Sequence, residues 1–157
     1  MQGLHYRLIA TVLLFCASTL SASATSQSTT NAGEADLVNA AVRGWAQAWD
    51  SSDVPNYLAH YAKDFVPAGK LSREQWEQQR RSRLTTKSLR QVLLSDMQIT
   101  MKAGQAEARF TQHYLDVDLI GTTRKALILV KQNGAWKIRE EQVLSESMAR
   151  RQIATSN

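Results

Sequence analysis

The chain has 157 residues, 43% of them hydrophobic and 21% charged, with 19 Lys and Arg against 14 Asp and Glu. That length holds one domain with its own core, and a formal charge of +5 with no aromatic–basic stacking run argues against nucleic acid as a partner. The single cysteine, Cys16, lies in the N-terminal apolar run, so no disulfide, Cys-held metal or thiol chemistry is expected of the remainder.

Residues 1–24 read as an export leader: Arg7 gives a positive start, Leu8 to Phe15 an apolar centre, and Ala22-Ser23-Ala24 a cleavage site. The apolar run is too short for a stable membrane anchor. Leu13-Leu14-Phe15-Cys16 looks like a lipidation box, but Phe15 stands where a small residue is needed, so cleavage after Ala24 is the better reading. A periplasmic protein held by packing alone is expected, with about 130 residues after processing. Residues 25–34, rich in Ser and Thr with no apolar period, read as a flexible tether.

A first helix is predicted from near Ala35 to Trp49, with Leu37, Val38, Ala41, Trp45, Ala48 and Trp49 at helical spacing. Ser51-Ser52-Asp53 interrupts it and caps a short second helix that tolerates Pro55 in its first turn and aligns Tyr57 with Tyr61. After a loop from Asp64 to Lys70, a third helix has a full start signal: Ser72 as N-cap, Gln75 closing a capping box, Leu71 stapled onto Trp76. Arg80, Arg83 and Leu84 fall on the face of Trp76, and Arg81 points away.

Four strands follow, near Leu89–Met101, Ala106–Asp118, Thr122–Gln132 and Ala135–Val143. In the first, the apolar phase slips from Val92 and Leu94 to Met97, Ile99 and Met101, the mark of a β-bulge that bends a sheet. Asn133-Gly134 between alternating runs predicts a two-residue hairpin, because both residues tolerate positive φ. Regular pairing then sets Trp136 opposite Lys131, Ile138 opposite Leu129 and Glu140 opposite Leu127, with Lys125 and Glu140 on the apolar face. Residues 145–157 read as a polar, basic tail, frayed or folded into a short helix. Helices followed by a bent antiparallel sheet make an α+β fold, 35–144, with the helices against one concave face.

Several groups recur at fixed offsets: Trp45-x-x-x-Trp49, Asp53-x-x-x-Tyr57-x-x-x-Tyr61-x-x-x-Phe65, Trp76-x-x-x-Arg80-x-x-Arg83-Leu84, Phe110-x-Gln112-x-Tyr114, Lys125-x-Leu127 and Gly134-x-Trp136-x-Ile138-x-x-Glu141. Together, across Leu37 to Val143, they resemble the nuclear transport factor 2-like domain at the C-terminus of cell-shape L,D-transpeptidase/carboxypeptidase proteins of bacterial envelopes. The resemblance implies a cone-like fold, three helices on a curved sheet of about four strands, and a homodimer formed through the sheet. In that family the domain accompanies a separate catalytic domain with a cysteine nucleophile. This sequence shows neither that domain nor a cysteine past the leader, so only a binding or docking role carries over.

The expected pocket residues are Arg80, Arg83, Gln112, Tyr114, Lys125, Glu140, Tyr61 and Trp76. Guanidinium groups at the mouth of an aromatic-lined pocket suit a carboxylate or sugar acid, such as the end of a cell-wall stem peptide. The same charges also serve as a Lys–Glu–Arg network that ties the third helix to the sheet and needs no ligand. A small envelope-derived ligand or a cell-wall enzyme is the expected partner, with no cofactor, no metal, no nucleic acid and no stable membrane insertion.

Ketosteroid isomerase-like and dehydratase-like members of the fold use Asp, His and Tyr in their cavities, but those motifs find no residue-by-residue match here. His60, beside Tyr57 and Tyr61, is the one weak catalytic candidate, while His113 should face outward. Asp116 and Asp118 are read as solvated. On the opposite sheet face Ala126, Ile128 and Val130, edged by Lys137 and Arg139, form a candidate dimer or partner surface.

Overall fold

The aromatic spacing of the N-terminal half decides how the helices meet the sheet. A computed structural model describes residues 22–69, 71–85 and 90–150. The helices are α1 (Ala22–Asp50), α2 (Val54–Ala59) and α3 (Arg73–Thr85). They pack on an antiparallel sheet of β1 (Gln91–Lys102), β2 (Gln105–Leu115), β3 (Leu119–Gln132) and β4 (Ala135–Arg150), in the order β1-β2-β3-β4. This is the expected α+β cone. Most of the expected leader, the loop residue Lys70, Leu89 at the expected start of β1, and the end of the expected tail lie outside the described residues.

Val38, Val42, Trp45 and Ala48 form the buried stripe of α1, so Val42 does the work expected of Ala41, and Leu37 is 53% exposed. Trp45 donates to the Tyr61 hydroxyl at 2.9 Å, and the Tyr57 and Tyr61 hydroxyls lie 2.7 Å apart. Each buried polar tip therefore has a partner, as burial demands. Tyr61, Phe65 and Trp76 continue the cluster, with ring centroids 4.6 to 4.7 Å apart.

Both caps form as the sequence predicts. Asp53 accepts from the Asn56 N–H at 3.1 Å with Pro55 in the first turn of α2. At the start of α3, Gln75 N–H donates to Ser72 Oγ at 3.2 Å while Ser72 N–H donates to Gln75 Oε1 at 2.9 Å, a complete capping box.

Three departures matter. The expected tether is helical from Ala22, so α1 runs through residues 25–34. Extending an existing helix costs little beyond its nucleus, and Glu34 fastens this segment to the hairpin: it accepts from Lys131 Nζ at 2.7 Å and Trp136 Nε1 at 2.9 Å. Secondly, residues 145–150 are not a tail. They extend β4 along the first residues of β3, with Leu119 opposite Arg150 and Gly121 opposite Met148. A Cβ on Gly121 would meet the Met148 sulfur, so a larger residue there would require that exposed side chain to move.

The third departure is register. Lys131 pairs Trp136 and Leu129 pairs Ile138 as expected, but Ile128 then pairs Glu140 and Leu127 pairs Glu141. The extra residue, Arg139, is a β-bulge, and a second shift separates Arg124 from Lys125. A bulge reverses the alternation beyond it. Glu140 is therefore carried off the apolar face, with its side chain 43% exposed and 3.7 Å from Arg139, while Glu141 turns inward at 11%. The expected bulge in β1 is also present, between Ser95 and Gln98, with Asp96 at φ 54.

On the convex face, Ala126 and Ile128 are already buried, and Arg139 donates across to Gln105 at 2.9 Å. The apolar residues left exposed on that side by alternation are Leu93 and Ile120.

The register error has a direct consequence for stability. Glu141→Ala strands the charges of Lys125 and Arg80 beneath the helices and is expected to cost about 3 kcal/mol, whereas Glu140→Ala should stay within about 0.5 kcal/mol. Denaturant midpoints of the two variants measure the difference, and equal losses would contradict the bulged register.

Candidate functional site

Alternation along three strands and the last turns of α3 bring the polar residues into one cavity of about 570 Å³. β2 supplies Gln112 and Tyr114, β3 supplies Leu119, Thr123 and Lys125, and β4 supplies Val143, Glu146 and Met148. Trp49 closes it from α1, Arg80 and Arg83 from α3, and Arg90 and Asp116 stand at its edge. Four cationic side chains therefore line the cavity against two carboxylates, those of Asp116 and Glu146.

Five expected pocket residues are there: Arg80, Arg83, Gln112, Tyr114 and Lys125. Three are not. Glu140 faces away because of the bulge, and Glu141 takes its place beside Lys125. Tyr61 and Trp76 are buried at 5% and 4% exposure in the aromatic core beneath the site, where stacking on Phe65 and the Trp45 hydrogen bond hold them. They shape the floor and do not line the cavity.

The floor is a charged network. Glu141 lies 3.7 Å from Lys125 Nζ through one oxygen and 3.7 Å from the Arg80 guanidinium through the other. Lys125 is 7% exposed, and its Nζ sits 5.3 Å from the ring centres of both Trp45 and Trp49. The Arg80 guanidinium lies 5.8 Å from the ring of Trp49 and 5.4 Å from that of Trp76. Cation–π attraction thus replaces part of the hydration both cations have lost. Burial pushes the Lys125 ammonium below the usual lysine range, the Arg80 charge adds to this, and Glu141 opposes both. The same burial, with the charge of Glu141, raises Tyr57 and Tyr61 well above the usual phenol range.

At the mouth, the Tyr114 hydroxyl donates to Asp116 at 2.6 Å, and Asp116 also accepts from the backbone N–H of Leu119 at 2.7 Å and of Asp118 at 2.9 Å. Burial works against ionisation of Asp116, but these three donors and Arg90 hold it below the usual carboxylate range. Asp116 is therefore the anchor of the β2–β3 turn rather than a solvated strand end. Arg90 in turn donates to the Arg83 carbonyl at 2.8 Å. Among the described residues no group of His, Cys, Asp and Glu is arranged to hold a metal ion.

Sequence reasoning missed Trp49, Arg90, Asp116, Leu119, Thr123, Val143, Glu146 and Met148 as lining residues. Glu146 and Met148 depend on β4 continuing past Val143. The spacing Ile138-x-x-Glu141, odd where alternation demands even, was the available signal for the bulge.

His60 lies outside the cavity. Its ring packs where a Cβ on Gly44 would come within 3.0 Å of it, and His113 faces outward as expected, 3.0 Å from Ser95 Oγ. Burial, assisted by Lys137, lowers the His60 pKa below its ordinary 6.5. The folded state therefore takes up this proton less readily than the unfolded chain, and the protein loses stability as pH falls below 6.5. His60→Gln should flatten that part of the stability–pH curve; an unchanged slope would remove His60 as its cause.

No curated protein matches the chain in sequence. Among solved structures, Bd1075 of Bdellovibrio bacteriovorus superposes with a TM-score of 0.60 at 23% identity, covering 68% of this chain and 39% of its own. A point mutant of the helical cell shape determining protein Pgp2 of Campylobacter jejuni gives 0.60 at 24%, covering 66% and 38%. A protein assigned as a scytalone dehydratase, from Novosphingobium aromaticivorans, gives 0.69 at 15%, covering 83% and 95%. The chain thus spans about two fifths of the first two proteins, and at these identities the likeness is one of fold. The family model for the Cds6 C-terminal NTF2-like domain matches residues 37–142, from within α1 through α2, α3 and β1 to β3 into the first half of β4, and the chain belongs to that family.

Proposed function

We propose that this domain binds a small anionic ligand of the bacterial cell envelope, a carboxylate-bearing fragment such as a stem-peptide end, in the cavity of the cone. The observation that carries the reading is the convergence of Arg80, Arg83, Arg90 and Lys125 on one cavity whose two carboxylates do not balance them. Arginine forks match carboxylates bidentately, and an aromatic floor under a few polar groups is the usual form of a small-ligand site. Lys125 and Arg80 already share Glu141 and Arg90 is bonded to the Arg83 carbonyl, so the exposed Arg83 side chain is the cation best placed to meet a ligand. The network thus serves structure at its base and recognition at its rim. The expected export leader is the support for placing this activity in the periplasm, and the likeness to a cell-shape protein accords with an envelope role.

One feature bears on the enzymatic alternative, an isomerase or dehydratase acting in the same cavity. Tyr114 and Asp116 form a close acid–base pair in the wall. Burial and the Asp116 bond raise Tyr114, while Asp116 is lowered, so the pair is a weak acid beside a weak base at neutral pH. That combination favours binding over proton transfer.

Thermal unfolding of the purified protein with muropeptides bearing free carboxylates should show a rise in Tm. At a hundredfold excess over Kd the linkage amounts to about 2.7 kcal/mol. Arg83→Ala should weaken binding about tenfold and leave the stability of the free protein within about 0.5 kcal/mol. No shift with any carboxylate at about 10 mM would overturn the reading.

A further inference from the structure

Lysines of a soluble domain almost always keep their ammonium in water. Lys63, Lys102 and Lys131 do so here, and Lys137 donates to the Ala59 carbonyl at 2.6 Å. Lys125 is different: its side chain is 7% exposed, yet it lines the cavity. The groups that face it come from every packed element. Trp45 and Trp49 of α1 lie 5.3 Å away, Arg80 comes from α3, and Glu141 and Glu146 from β4. The Glu141 carboxylate stands at 3.7 Å, too far for a hydrogen bond but close enough to exchange a proton after a small rotation.

An amine desolvated among rings, beside a second cation, is the environment that frees a lysine lone pair for carbonyl chemistry. A carboxylate within reach is what such chemistry needs to move its protons. The cations at the rim then select what approaches, and the Gln112 amide, 4% exposed with an unpartnered oxygen, borders the same space.

We propose that Lys125 is a carbonyl-reactive amine, and that the cavity captures small oxo acids, carboxylates bearing an aldehyde or ketone, as a reversible imine. This rests on the anion-binding reading for the carboxylate alone; the amine chemistry is independent of it. The neutral Nζ attacks the carbonyl carbon, forming a C–N bond while the π pair moves to oxygen. Glu141 takes a proton from nitrogen and returns one to that oxygen, giving a carbinolamine. A further proton, delivered through Glu141, lets the hydroxyl leave as water while the nitrogen lone pair forms the C=N bond, and the resulting iminium gives its N–H proton back to the Glu141 carboxylate to leave the imine. The sum is amine plus carbonyl giving imine plus water, with no oxidation or reduction.

The lowered Lys125 pKa gives this amine a larger neutral fraction than an exposed lysine has at the same pH. The test incubates the purified protein with glyoxylate and cyanoborohydride at neutral pH, and maps the resulting carboxymethyl groups by peptide mass spectrometry. Lys125 should be modified about tenfold faster than Lys63, Lys102 or Lys131. That ratio should fall towards one as the pH approaches the range where exposed lysines deprotonate. Acetaldehyde, which lacks the carboxylate, should label Lys125 more slowly, and Arg83→Ala should abolish the preference for glyoxylate without abolishing labelling.

Labelling of Lys125 no faster than of the exposed lysines overturns the proposal. If glyoxylate nonetheless raises Tm, anion binding stands and the imine alone falls. Fast labelling of Lys125 by both aldehydes alike would overturn the oxo-acid assignment and count against anion recognition.

Discussion

A lysine held at 7% exposure has lost most of its water, and the architecture of this domain follows from what replaces it. Glu141 supplies the counter-charge, Trp45 and Trp49 supply π-faces, and Arg80 completes the group from the far side of the cavity. Removing hydration from an ion costs several kcal/mol, so such a group persists only when its geometry is fixed by its surroundings. Here it is fixed from four elements at once, Arg80 coming from α3. α1 brings the tryptophans, β3 the lysine, and the bulged β4 the glutamate. The network therefore pins the helices to the concave face, and any ligand in the cavity meets a base that is already rigid.

Beneath it, the Trp45–Tyr61–Tyr57 chain performs a neutral version of the same task. Each ring buries a large apolar area while its polar tip finds a partner inside the core, which keeps the floor dry without leaving donors unpaired. Burial keeps both phenols protonated at physiological pH. Recognition is left to the rim, where Arg83, Arg90, Tyr114 and Asp116 meet solvent.

Much of this was legible in the chain. Ser72 and Gln75 state the start of α3 because a capping box is a local, reciprocal pair of hydrogen bonds. Asn133-Gly134 states the hairpin because positive φ is a property of those residues. The phase slip between Leu94 and Met97 states the β1 bulge because burial has to resume on one face. Glu140 and Glu141 were harder. Two adjacent glutamates offer alternation no apolar marker, and an ideal hairpin assigns the inward position to the wrong one. Only the odd spacing from Ile138 to Glu141 hinted at the second bulge.

By itself the sequence determined the elements, their order, the apolar faces and five of the residues in the cavity wall, since these rest on local periodicity and short-range hydrogen bonds. Tertiary structure decided which glutamate enters the core, that Glu34 fastens the start of α1 to the hairpin, and that the basic end of the chain continues as β4 to bring Glu146 and Met148 into the site. It also moved Tyr61 and Trp76 from the cavity wall into the core. Each of these depends on pairing between residues far apart in the chain, whose register is set by bulges and long-range contacts that no single segment encodes.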